Sequence, residues 1–172
     1  MGTKFANLHI QTENLEEVVE ALKKTSLPAS YFVGQFGSWI SVYGDAYDWG
    51  SIRREAEVIS QLVKYPVLSL GYYDDSVLEI GLYKDNHLIT RFAAGPDIEE
   101  YEVEPEELNI KLFDQALNVP LDSSELVRVL ANEDIEEVVM ELEKIFDLSL
   151  WMKYDWIADD EKLRRQYKLV NV

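Results

Sequence analysis

The chemistry open to this chain is limited by the reactive side chains it has and by how far apart they stand. It has two histidines, His9 and His87, 78 positions apart, and no cysteine. Neither histidine belongs to an H-E-x-x-H pair and no Ca²⁺-loop pattern accompanies them, so no metal site is expected. Each histidine reads as a surface residue on a strand or turn. G-x-G-x-x-G, G-x-x-x-x-G-K-[ST] and the G-x-S-x-G nucleophile elbow are all absent. The common enzyme classes are therefore disfavoured, and no catalytic residue and no cofactor is expected.

Two groups of residues could still do something. The first is an aromatic loop in which Asp45 and Asp48 stand beside Tyr43, Tyr47 and Trp49. Its plain reading is a turn followed by a helix cap, because Asp and Gly favour turns. Its functional reading is a small-ligand pocket against a sheet, since aromatic walls with a few polar groups are what such pockets use. The second group lies on a helix expected over 133–146, whose polar side carries Glu133, Asp134, Glu136, Glu137, Glu141 and Glu143, with Lys144 opposing. Glu133, Glu137 and Glu141 are successive i,i+4 neighbours, and each like-charged pair costs roughly 0.2–0.5 kcal/mol. An acid-rich face of this kind reads either as solvated surface or as an electrostatic surface for a basic partner.

Charge distribution sharpens the second possibility. The net charge is −17, which excludes a general affinity for nucleic acid or for anionic membranes and favours basic partners. Residues 1–94 hold 12 acids and 8 bases, residues 95–150 hold 17 acids and 3 bases, and residues 151–172 hold 4 acids and 5 bases. The imbalance belongs to one third of the chain. No charged-then-apolar leader and no apolar run of membrane-spanning length is present, so the expectation is a soluble cytoplasmic protein.

The elements that must position these groups begin with a strand at 4–11, alternating Ala6, Leu8 and Ile10 with Asn7, His9 and Gln11. Asn14 with Glu17 three residues on starts an amphipathic helix over 15–24. A loop with Pro28 leads to an aromatic, β-branched hairpin over 31–43, and Ser51 can cap a second helix that Pro66 stops. A meander follows, with strands at 66–73, 77–84 and 88–94. A three-residue first turn pairs Tyr72 with Leu78, Leu70 with Ile80 and Leu68 with Leu82, which puts all six on one face. A three-residue second loop sets Phe92 opposite Ile80 and keeps Arg91 on the face of Glu79; a shorter one would drive Arg91 into the apolar face. The apolar set is expected to pack against the helices at 15–24 and 52–65. Beyond Gly95-Pro96 come an acidic connector at 97–107, a helix from Pro105 to about Leu117, a short helix at 123–131, the acidic helix, an aromatic segment at 150–157 and a last helix at 158–168. Trp39, Trp151 and Trp156 are expected to be partly or wholly buried.

The stretch from Asp75 to Arg91, DSVLEIGLYKDNHLITR, resembles a strand-turn-strand core of uncharacterised bacterial α+β proteins, in which an acidic turn, a strand, a Lys/Arg-Asp-Gly-type turn and a further strand are followed by a helical tail like 135–150. Asn86 stands where that pattern has Gly. The resemblance implies a fold and a bacterial cytoplasmic origin, and no activity.

The sequence therefore predicts an α+β fold. Its mainly antiparallel sheet, in the order β-α-β-β-α-β-β-β, carries helices on one face and a C-terminal helical extension. A sheet domain at 1–95 and an acidic helical extension at 96–172 docked on it are the expected units. The expected function is a non-catalytic acidic interaction protein, of which an immunity- or inhibitor-type protein is one kind, with Glu133, Glu137 and Glu141 meeting a basic protein partner. The alternative is a small-molecule-binding or enzymatic domain that uses Tyr43, Asp45, Tyr47, Asp48 and Trp49.

Overall fold

A computed structural model describes residues 2–25, 30–119 and 121–172. The loop expected around Pro28 lies outside the described residues. The elements are β1 (Lys4–Ile10), α1 (Leu15–Lys23), β2 (Ser30–Phe36), β3 (Trp39–Gly44), α2 (Ile52–Leu62), β4 (Val67–Tyr73), β5 (Val77–Lys84), β6 (His87–Ala94), a 3₁₀ turn (Ile98–Tyr101), α3 (Ile110–Ala116), α4 (Ser123–Leu130), α5 (Ile135–Phe146), α6 (Tyr154–Asp159), α7 (Glu161–Arg164) and β7 (Lys168–Asn171). The seven strands form one sheet in the order β6-β5-β4-β1-β3-β2-β7, every neighbouring pair antiparallel. No helix among the described residues is long and apolar enough to cross a membrane.

The meander has the expected register. Tyr72 pairs with Leu78, Leu70 with Ile80 and Leu68 with Leu82, and Phe92 stands opposite Ile80. The second turn reaches that register by another route. Only Asp85 and Asn86 form it, both left-handed (φ 52° and 65°), the conformation that two-residue hairpin turns need and that Asn tolerates where Gly is usual. Leu82 then faces Thr90 while Tyr83 faces Leu88, so Ile89 is an extra residue in β6. The bulge restores what the short turn takes away. Arg91 stays on the face of Glu79, 3.2 Å from its carboxylate, and also reaches Glu106 at 2.9 Å.

The covering of that sheet differs from expectation. Leu68, Leu70, Tyr72, Leu78, Ile80, Leu82 and Phe92 share one core with Phe113 of α3, Leu126 and Val129 of α4 and Val138, Val139, Leu142 and Phe146 of α5. They do not pack against α1 and α2. Those two helices cover the opposite face, where Val18, Leu22, Ala56 and Ile59 meet Ala6, Leu8, Ile10, Val67 and Tyr83. Both faces of the sheet are therefore buried. Glycines on the second face leave room for aromatic rings. A Cβ at Gly71 would lie 2.9 Å from the Trp49 ring, and one at Gly81 would lie 2.6 Å from the Tyr83 ring.

The C-terminal third departs from the sequence reading in two places. Residues near Pro105 are extended, because Glu106 exchanges both backbone hydrogen bonds with Ala93 (2.9 and 3.0 Å). The helix starts at Ile110 instead, with Asn109 accepting from the Leu112 N–H. The single last helix expected at 158–168 is replaced by α6 and α7, which are broken at Asp160, and by β7, which pairs with β2. Trp39 is buried, and Trp151 and Trp156 are half-buried and pack on Phe5 with ring centroids 4.9 and 6.1 Å away.

Candidate interaction surface and aromatic cleft

The acidic helix begins two residues later than expected. Asp134 is its N-cap, with Oδ1 accepting from the Glu136 and Glu137 N–H groups at 3.1 and 3.2 Å, and Asn132 accepts in turn from the Asp134 N–H. Glu133 thus precedes the helix, and Glu133 and Glu137 are not stacked helical neighbours. The repulsion expected along this face is relieved by more than Lys144. Glu141 lies 2.7 Å from Lys144 and 3.7 Å from Arg128 of α4, and Glu137 accepts from Asn132 at 2.8 Å. Arg128 could not be counted from the sequence of one helix, since only the packing of α4 on α5 brings it near. Glu143 faces inward and accepts the Leu150 and Trp151 N–H groups at 2.9 and 3.1 Å.

Acids without such partners gather at one end of the sheet instead. Asp75 comes from the β4–β5 turn, where Asp74 and Asp75 are both left-handed. Glu133, Asp134 and Glu136 come from the start of α5, and with Tyr72 and Pro96 these residues line a cavity of about 390 Å³. Pro96 also lines the neighbouring cleft of about 430 Å³ with Asp97, Glu99 and Glu100. Among the described residues, no lysine or arginine lines either space. Three chain segments far apart in sequence thus make one acidic rim, a convergence that charge counting located only to a third of the chain.

The aromatic loop is divided by the fold. Tyr43 is fully buried on the face of the C-terminal layer, where its hydroxyl donates to the Ser149 carbonyl at 2.6 Å. Burial pushes its pKa well above the ordinary phenol value. Asp45 is exposed and lines no cleft with the others. Asp48 accepts from the Ser51 N–H at 2.8 Å, the turn-and-cap role of the plain reading, while the Ser51 side chain makes no cap to α2. Tyr47, Asp48 and Trp49 do share a cleft of about 330 Å³ with Tyr73, Lys4 and Lys153. The Tyr47 hydroxyl and Trp49 Nε1 are buried and have no hydrogen-bond partner among the described residues. Lys4 Nζ sits 4.3 Å from the Tyr73 ring centroid and 3.2 Å from its hydroxyl.

A third group escaped sequence reading. His9, expected at the surface, is 0 % exposed in the middle of β1. Asn7 Nδ2 donates to the Leu150 and Met152 carbonyls at 2.8 and 2.9 Å, which fixes the amide orientation because carbonyls only accept. Asn7 Oδ1 must then accept from His9 Nε2 at 2.8 Å, and His9 Nδ1 accepts from the Ser41 hydroxyl at 2.8 Å. Burial drives the imidazole pKa down to about 3, so it is neutral near neutral pH. Hydroxyl, imidazole and amide stand in line as in a nucleophilic relay, yet Ser41, His9 and Asn7 all have no exposed surface. The row joins β1 and β3 to residues 149–152 and is a polar dock. His87, by contrast, is exposed at the start of β6. The only sequence signal for the row was three polar residues alternating with Ala6, Leu8 and Ile10, the pattern of a solvated strand face.

No family model matches the chain, and no curated protein or solved structure matches it either.

Proposed function

We propose that this chain is a non-catalytic interaction protein whose acidic surface binds a basic protein partner, as an immunity- or inhibitor-type protein covers a basic site. The supporting observation is the rim formed by Asp75, Asp97, Glu99, Glu100, Glu133 and Glu136 around two spaces that no lysine or arginine among the described residues lines. Of the three residues first named for the partner, Glu133 stands in this rim. Glu137 and Glu141 already have partners and contribute field more than contact. Facing carboxylates with no counter-charge steer a cationic surface toward them and lose that effect as salt screens them. Replacing Asp97 with Asn and Glu99, Glu100 and Glu133 with Gln should leave the fold intact. It should slow association with the basic partner about tenfold at low salt, with the deficit shrinking as salt is raised. Partner recovery from lysate of the source organism, wild type against this variant, is the measurement. Equal recovery of every basic protein ends the reading.

One observation favours a second reading. The unpartnered Trp49 Nε1 and Tyr47 hydroxyl beside Lys4 and Lys153 would suit a small ligand that carries an aromatic ring and a carboxylate or phosphate. Such a ligand should raise the melting temperature in proportion to the logarithm of its concentration. Trp49→Phe, which keeps the ring but removes the N–H, should reduce that rise. A panel of aromatic carboxylates and phosphates that leaves the melting temperature unchanged removes this reading.

A further inference from the structure

Resting on the acidic-partner reading above, we infer that the mouth formed by Tyr72, Asp75 and residues 133–136 is a socket for one guanidinium group, an arginine side chain of the basic partner. Tyr72 belongs to the buried face of β4, is 0 % exposed and is held as a rigid plate. Its ring stacks on Phe5 at 5.1 Å and meets the edge of Trp151 at 4.8 Å. Its hydroxyl is buried and has no hydrogen-bond partner among the described residues. An unpartnered buried hydroxyl destabilises a fold, and phenylalanine would fill the same aromatic box without it.

The surroundings of that hydroxyl say what would satisfy it. The charged groups facing it are all acidic: Asp75 first, near enough for the hydroxyl proton to turn toward its carboxylate, then Glu136 and Asp134. Burial and these neighbours keep the phenol protonated, so its lone pairs remain open to a donor. Asp134 spends only Oδ1 on the helix cap. Asp75, Glu133, Asp134 and Glu136 form no ion pair among the described residues. The missing group must donate several hydrogen bonds at once, carry positive charge and fit a cavity of about 390 Å³. A bare metal ion is a poor match, because no three carboxylate or histidine side chains among the described residues converge to hold one. A guanidinium presents five N–H donors in a plane, enough to reach the hydroxyl and carboxylates on both walls together. An ammonium concentrates its three donors at a point.

The test uses the whole chain and three capped tripeptides, acetyl-Gly-X-Gly-amide with X as arginine, lysine or citrulline, followed by amide NMR shifts. The arginine peptide should produce saturable shifts confined to 72–76, 95–97 and 132–137. Lysine should bind about fivefold more weakly, and citrulline, which has the shape without the charge, should not bind. Tyr72→Phe should keep or raise the melting temperature, weaken arginine binding about fivefold and erase the preference over lysine. Should that variant fail to fold, Glu136→Gln at an exposed position should produce the same loss of affinity. Equal binding of arginine and lysine, or wild-type affinity in Tyr72→Phe, overturns the socket. In that case poly-L-lysine shifts spread along 97–107 would still support the broader acidic surface. Absence of any shift with the peptides and with poly-L-lysine overturns both.

Discussion

Lowering the pH from 7 to 5 at constant ionic strength should cost this protein about 2 kcal/mol of unfolding free energy. The main cause is one residue. His9 has a folded-state pKa of about 3 against the ordinary imidazole value of 6.5, because a charged imidazole in that position would be cut off from water. Between those two values the unfolded chain binds a proton that the folded chain does not. The contribution is fully present above pH 6.5, falls by about 1.4 kcal/mol per pH unit below it, and reaches about 5 kcal/mol once the pH has passed the folded value. A net charge of −17 argues for the opposite sign, since acidification relieves repulsion among carboxylates. Ordinary carboxylates have pKa values of about 4, so the interval from 7 to 5 weights the histidine; the buried Glu55 carboxyl, pushed up from its ordinary value by burial, offsets part of the loss. Urea midpoints at the two pH values measure the effect. His87→Gln, at an exposed position, should leave it unchanged. His9→Gln, which keeps a donor and an acceptor, should flatten it. A wild-type midpoint that is equal or higher at pH 5, or an imidazole NMR titration of His9 near 6.5, would refute the assignment.

Asn7→Ala should destabilise the fold by about 2–4 kcal/mol. Few single side chains here make as many contacts: this amide donates to two carbonyls of the 150–152 segment and accepts from the His9 Nε2–H. Removing it strands the buried His9 Nε2–H and takes a donor from the part-buried Met152 carbonyl, while the Leu150 carbonyl keeps the Met152 N–H at 3.0 Å; a buried group left unpaired costs about 1–3 kcal/mol, and a small void opens beside it. The loss should also be local. Amides of residues 149–159 should exchange with solvent faster than those of β4 and β5, because the dock that ties them to β1 is gone while the meander is untouched. Asn7→Asp separates the two halves of the role. A carboxylate still accepts from His9, but it repels both carbonyls and favours a charged imidazole, so stability at pH 7 should fall while its loss on acidification becomes shallower. A denaturation loss below about 1 kcal/mol for Asn7→Ala would mean that solvent replaces the amide, and that the row is not a dry dock.

Local pattern determined a good deal of this protein. Alternation in β4 and β5, with Asp74, Asp75 and Ser76 between them, pinned Tyr72 to Leu78 and Leu70 to Ile80, because a one-residue slip would invert every side chain. Asn14 and Glu17 announced α1 through hydrogen bonds that span three residues. Pairing of Ile80 with Phe92 was legible even though its route was not. A buried Arg91 was excluded on energetic grounds, and a two-residue turn with a bulge at Ile89 satisfies that constraint as well as a longer loop does.

What only tertiary structure decided is which surface meets which. An apolar strand face records that something covers it, and its chemistry is the same whether α2 or α5 does so; here α3, α4 and α5 cover the meander while α1 and α2 take the other side. Asn7 and His9 alternate with apolar residues just as exposed polar residues would, and only the arrival of residues 149–152 turns them into an internal dock. β7 is four residues long, too short for a period to declare itself, and exists because β2 offers it an edge. The acidic excess was countable from composition, but repulsion is a matter of distance. Arg128 and Lys144 neutralise Glu141, which looked unsupported, while Asp75 and Glu136, separated by 61 positions in the chain, come together around Tyr72. Sequence carries the sign of each charge, and the packing of the helices on the sheet carries the distances between them.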